Sequence, residues 1–170
     1  MLYPADIQSL VTSLALEPHP EGGFFRETYR AAENVTGPAL PPRFGGDRSL
    51  ATAIYFLLGP GDFSAFHRIK SDETWHYYSG SCPLIVHILE EHRGYRQIKL
   101  GNRPEAGEVF QDTVPAGAWF ASEPADPAGY ALVGCTVSPG FDFRDFELAN
   151  AEILSGSFPE HADLIQQRCR

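Results

Sequence analysis

The stretch "GDFSAFHRIKSDETWHYYSG", Gly61 to Gly80, sets one histidine and one glutamate into a segment that otherwise reads as the wall of a barrel. Between its two glycines five residues precede His67, Ile69 follows two positions later, and three residues separate Ile69 from Glu73. A strand turns alternate side chains to one face, so Glu73, Trp75, Tyr77 and Ser79 share a face and Thr74, His76 and Tyr78 the other. By the same rule Ala65, His67 and Ile69 stand together, opposite Ser64, Phe66 and Arg68. If Glu73 points inward, His76 points outward unless a bulge intervenes.

Outward from this segment the chain keeps the same texture. Twelve phenylalanines, seven tyrosines and two tryptophans accompany sixteen glycines and fourteen prolines among 170 residues. This is the composition of many short strands divided by turns. "PADIQSLVTSLAL" places Ile7, Leu10, Val11 and Leu14 at helical spacing, which predicts one amphipathic helix over about residues 4–16. About nine or ten strands are expected to follow over about residues 22–150, and residues 151–170 form a tail or a short helix. The class is all-β, a double-sheet jelly-roll barrel behind a short N-terminal helix, in a single domain spanning 1–170.

A net charge of −9 repels phosphate backbones and anionic lipid, so neither nucleic acid nor a membrane surface is expected as a partner. Three cysteines, Cys82, Cys135 and Cys169, without CxxC spacing suit a reducing compartment. The N-terminal segment lacks a signal-peptide pattern and no stretch approaches a membrane span. A soluble, cytoplasmic protein is the expectation. Long apolar strands such as "TAIYFLL" and "PLIVHIL" would leave sheet edges in need of cover, which predicts a homodimer.

The spacing of Gly61, His67, Glu73 and Gly80 resembles the first cupin motif, with Ile69 where a second histidine usually sits. "VPAGAWF" resembles the second, with Phe120 where a metal-binding cupin has its third histidine. With "PHPEGGFFRETYR" and "LVGCTVSPGFDFRDFEL", these segments resemble a family of single-domain cupins of unassigned function. The resemblance implies a double-stranded β-helix with a pocket for a small molecule. "EGGFFRET" is also similar to the "RGFF.E" segment of the dTDP-4-dehydrorhamnose 3,5-epimerases, with Gly22 in place of the arginine.

From these readings His67 and Glu73 are candidate pocket residues and an incomplete metal pair, able at most to hold a divalent transition metal weakly. A hydrogen-bonded structural histidine is the plain alternative for His67. Arg26 and Glu27 are ligand-binding candidates, against an ordinary surface ion pair. Phe66, Trp75, Tyr77 and Trp119 are candidates to face ligand, against simple core packing. Lys70 would cap an anionic ligand, and Asp142 supplies a carboxylate near the pocket. The remaining histidines, His19 among them, read as surface or sheet-face residues.

Three functions stay open at this point. One is an isomerase or epimerase of a carbohydrate-like metabolite, with His67 as base and Tyr77 or Tyr130 as acid. The others are a non-catalytic metabolite-binding module and a weakly metal-dependent enzyme. If His67 and Glu73 are solvated in an open pocket, His67→Ala and Glu73→Gln each cost within about 1 kcal/mol of stability.

Overall fold

The structure, a computed structural model, describes residues 4–170. Helix α1 (Ala5–Ser13) leads into β1 (Glu17–Pro18), β2 (Phe24–Arg30), β3 (Asn34–Val35), β4 (Arg48–Ser49), β5 (Thr52–Leu58) and β6 (Ser64–Arg68). There follow β7 (Asp72–Gly80), β8 (Leu84–Glu90), β9 (Gly94–Leu100), β10 (Gln111–Val114), β11 (Trp119–Pro124), β12 (Ala131–Ser138) and β13 (Glu147–Leu148). Helices α2 (Ala151–Ser157) and α3 (Ala162–Gln167) complete the described chain.

Two antiparallel sheets, ordered β1-β2-β5-β12-β7-β10 and β13-β6-β11-β8-β9, form the jelly-roll. Their inner faces meet in one core, where the Trp75 ring of the first sheet stands edge-on to Phe56 at 5.9 Å and to Phe120 of the second at 6.2 Å. Alternation assigns the other faces. Leu57 and Leu132 turn outward to meet Ile7 of α1, while Phe66, Leu89 and Ala121 turn outward beneath Leu154 of α2 and Ile165 of α3.

Helix α1 stops at Ser13, short of the expected residue 16, because Leu14 already leaves helical geometry and Ala15 adopts a positive φ of 50°. The expected C-terminal helix is two helices, the first capped by Asn150, whose side chain accepts the Ile153 N–H at 3.1 Å. Both apolar strands invoked for a dimer are interior: β5 lies between β2 and β12, and β8 between β11 and β9. Their backbone groups are paired within the chain, so that argument for a dimer falls. Among the described residues no helix is long and apolar enough to cross a membrane.

Candidate functional site

One end of the sandwich opens into a cavity of about 340 Å³ between the sheets. The five-stranded sheet contributes His67 from β6, and the six-stranded sheet contributes Glu73 from β7 and Cys135 from β12. Glu21, from the loop joining β1 to β2, completes the polar group. Two glycines place it there. Gly22 has φ 118° and Gly23 φ 71°, and a side chain at position 22 would put its Cβ 2.1 Å from the Phe63 carbonyl oxygen. An arginine cannot occupy position 22 in this backbone, which accounts for the departure from the "RGFF.E" segment.

His67 is 3% exposed, and its hydrogen bonds fix its proton. Nδ1 lies 2.7 Å from the Ala65 carbonyl oxygen, which can only accept, so Nδ1 carries the hydrogen. In the neutral ring Nε2 is then an acceptor, 3.0 Å from Glu21 Oε2, and a protonated Glu21 donates to it. The electrostatics agree. Burial pushes the Glu21 carboxyl well above the usual range, reinforced by the charge of Glu73, and burial drives His67 down to about 3. Burial likewise raises Glu73 to about 7, opposed by a hydrogen bond from the Cys135 thiol, and lowers His19 to about 4. His19 accepts the Glu21 N–H at Nδ1, 3.3 Å away, so it is held as a neutral ring.

The rim is built from charge pairs. A bulge at Thr28 shifts the register of β2, so that Glu27 pairs across to Ile54 and Arg30 to Thr52. Both therefore face the cavity, joined through Arg30 Nη2 and Glu27 Oε2 at 2.7 Å, while Arg30 Nη1 donates to the Phe141 carbonyl at 3.1 Å. On the opposite lip Asp142 accepts the Arg144 N–H at 2.9 Å and its guanidinium at 2.7 Å, which holds Asp142 well below the usual carboxylate range. Asp145, 6% exposed, anchors the same segment by a forked pair to Arg48, both contacts 2.6 Å. Phe141, Phe143 and Phe146 are thereby fanned over the cavity.

The structure thus gathers His67, Glu73, Glu27 and Asp142 around one cavity and leaves the other seven candidates elsewhere. Arg26 projects outward and donates to the Leu14 carbonyl at 2.8 Å, being one residue out of phase with Glu27. Phe66 packs beneath α2 and α3, and Trp75 is sealed in the core. Tyr77 donates to the Cys82 carbonyl at 3.1 Å beside a separate hollow. It cannot serve as the acid in this cavity, and Tyr130 packs near α1. Lys70 lies 3.4 Å from Asp145 in a different depression, and Trp119 stacks under Arg68 at 4.4 Å. Missing from the sequence reading were Glu21, Arg30 and Cys135, and His19, read there as a surface or sheet-face residue, lines the cavity with its side chain buried. The double glycine after Glu21 was the available signal; the bulge that turns Arg30 inward left none.

A transition metal on His67 and Glu73 does not fit these residues. Nε2 of His67 is taken by Glu21, Ile69 and Phe120 fill the neighbouring positions as buried core, and His76 points outward to Thr136 Oγ1 at 3.1 Å. The bulge in β7 falls at Tyr78, beyond His76, and does not turn it inward. Among the described residues no group of three or more His, Cys, Asp or Glu is arranged to hold a metal ion.

A jelly-roll whose inner faces carry a histidine and a glutamate at this spacing is a cupin. Residues 8–149 match the family described as cupin superfamily (DUF985), and the chain belongs to that family. A hypothetical protein from Leishmania major is 39% identical, with 95% of this chain and 97% of that one covered and a TM-score of 0.84. A Shewanella oneidensis protein is 37% identical over 100% of this chain and 99% of its own, with a TM-score of 0.83. An uncharacterised protein of Saccharomyces cerevisiae is 31% identical over 172 residues, 88% of this chain and 78% of the yeast protein.

Proposed function

We propose that the cavity is an acid/base site that isomerises or epimerises a small carbohydrate-like carbonyl compound. The observation that carries this reading is the placement of two proton-holding groups in one cavity: Glu73 on the six-stranded sheet, and Glu21 of the β1–β2 loop hydrogen-bonded to His67 of the five-stranded sheet. Proton abstraction beside a carbonyl needs a base that titrates near the working pH. Glu73, raised to about 7, meets that need, whereas His67, lowered to about 3, does not. The base is therefore Glu73 rather than His67. The Glu21–His67 pair, which shares one proton, returns a proton to the other face of the enolate. Solvent exchange then restores the starting protonation.

A binding-only role is the second reading, favoured by the closed hydrogen bonding of both His67 nitrogens. Incubation in D₂O with a panel of aldoses, ketoses and amino sugars, followed by proton NMR, separates the two. Exchange of a C–H for C–D next to the carbonyl, lost in Glu73→Gln, is the expected result. Ligands that raise the melting temperature yet never exchange would replace catalysis by binding alone.

A further inference from the structure

We propose that the ligand of this cavity carries positive charge: an ammonium or quaternary ammonium group seated against the phenylalanine rings of the 141–146 segment. The inference rests on the cavity being a small-molecule site and is independent of proton transfer.

The walls are the first observation. Phe141 and Phe143 stand 5.0 Å apart at 79°, Phe141 and Phe146 6.3 Å apart at 72°, and Phe143 and Phe146 6.2 Å apart at 71°. Three rings steeply inclined to one another make a corner, and Phe25 lines the same cavity. The face of a ring is its negative side, so an aromatic lining of this kind favours a cation that sheds its water easily. Methylated and substituted ammonium groups meet that condition better than a small hydrated metal ion. The volume, about 340 Å³, limits the ligand to a small molecule.

The charge of the lining is the second, independent observation. Four carboxyl groups, Glu21, Glu27, Glu73 and Asp142, face the cavity against one guanidinium, Arg30. Arg30 is already forked onto Glu27, at 3.0 and 2.7 Å, and bonded to the Phe141 carbonyl. His19 and His67 are held neutral by burial. Asp142 is held by the Arg144 guanidinium and Glu21 by His67, so an anionic ligand would meet Glu73 and no uncommitted positive group among these lining residues. A cationic one would find its counter-charge in Glu73.

The groups packed around Glu73 make this pH-dependent in a defined direction. They are Cys135 on β12, which donates to it, Glu21 on the β1–β2 loop, which repels its charge, and His67 on β6, which is neutral. Ionised Glu73 binds a cation better than the protonated form does, so affinity rises as pH passes through about 7.

Choline tests the proposal by titration calorimetry on the full chain, beside its neutral isostere 3,3-dimethylbutan-1-ol and the anion 3,3-dimethylbutanoate. Choline is expected to bind about tenfold or more tightly than the alcohol, with the anion weaker still. Its affinity is expected to climb between pH 6 and pH 8, and Glu73→Gln to abolish the climb. Phe143, 57% exposed, can be trimmed with little effect on folding; Phe143→Ala is expected to weaken choline by about threefold or more at an unchanged melting temperature. Equal affinity for the alcohol, tighter binding of the anion, or no choline binding at millimolar concentration overturns the proposal. A pH-independent affinity removes Glu73 as the counter-charge. None of these results bears on the deuterium-exchange assay, so each reading can fail without the other.

Discussion

Glu73→Gln is expected to stabilise the protein, and to do so only at the alkaline end of its range. The Glu73 carboxyl, 7% exposed, is raised from 4.5 to about 7, chiefly by burial. Between these values the unfolded chain has released the proton that the native state keeps. Native stability therefore falls as pH rises through this window; the penalty is absent below about 4.5 and complete above about 7. At about 1.4 kcal/mol per pH unit the full effect is about 3 kcal/mol, most of it developing between about pH 5 and about pH 8. Glutamine keeps an oxygen to accept the Cys135 thiol and has no proton to lose, while its amide N–H groups gain no assured partner, at a cost of up to about 1 kcal/mol. A net gain of about 2 kcal/mol near pH 8 is expected, or roughly 4–8 °C in melting temperature for a chain of this length. Urea unfolding of both proteins at the two pH values is the assay. Parallel loss of stability in the two, within about 0.5 kcal/mol, would mean that Glu73 is solvated like a surface carboxylate and would refute the reasoning.

Other perturbations follow from the same contacts. His67→Ala leaves the Glu21 carboxyl and the Ala65 carbonyl without their partner, and should cost about 2–4 kcal/mol by denaturant titration rather than the 1 kcal/mol expected of a solvated residue. Asp145→Ala strands Arg48 in the interior and should cost about 3 kcal/mol, read as a lower urea midpoint. Gly22→Arg forces a side chain onto the Phe63 carbonyl at a positive φ and should lower stability by more than about 2 kcal/mol in the same measurement. Protein purified without added metal should carry well under one equivalent of transition metal by elemental analysis; a stoichiometric metal that survives chelator dialysis would show that a ligand set other than His67 and Glu73 exists.

What was legible in the sequence is what period two and turn residues encode. The strands from Thr52 to Gly80 follow from alternation between glycine-marked turns, and the inward direction of His67 and Glu73 from the cupin-like spacing rather than from alternation. Alternation fails where a register shift intervenes. The bulge at Thr28 turns Glu27 and Arg30 to the same side although they are three residues apart, and no residue type there announces it. Nor does a strand pattern say which other strand lies opposite. The segments "SAFHR" and "DETWHYYSG" are neighbours in the chain but belong to different sheets, so His67 and Glu73 face each other across the cavity. Phe66 and Trp75 could not be sorted into ligand-facing and core-facing by residue type, because an aromatic ring satisfies either environment. Their surroundings, helices α2 and α3 for one and the inter-sheet core for the other, are long-range facts.

The absent second and third histidines and the presence of Glu21 are two sides of one physical constraint. Once Nδ1 of His67 donates to the Ala65 carbonyl, Nε2 is a buried lone pair that needs an electrophile or a donor. In a metal-binding site the ion fills that need. Here Ile69 and Phe120 stand against the ring, Phe120 at 4.0 Å between centroids, and they offer neither ligand nor donor. A protonated carboxyl can supply the missing hydrogen, provided that it stays protonated in neutral solution. Burial together with the like charge of Glu73 keeps Glu21 in that state, and the positive-φ glycines at 22 and 23 bring it within 3.0 Å. Glu21 thus meets on His67 the need that an ion would otherwise fill, with a hydrogen bond in place of a coordination bond.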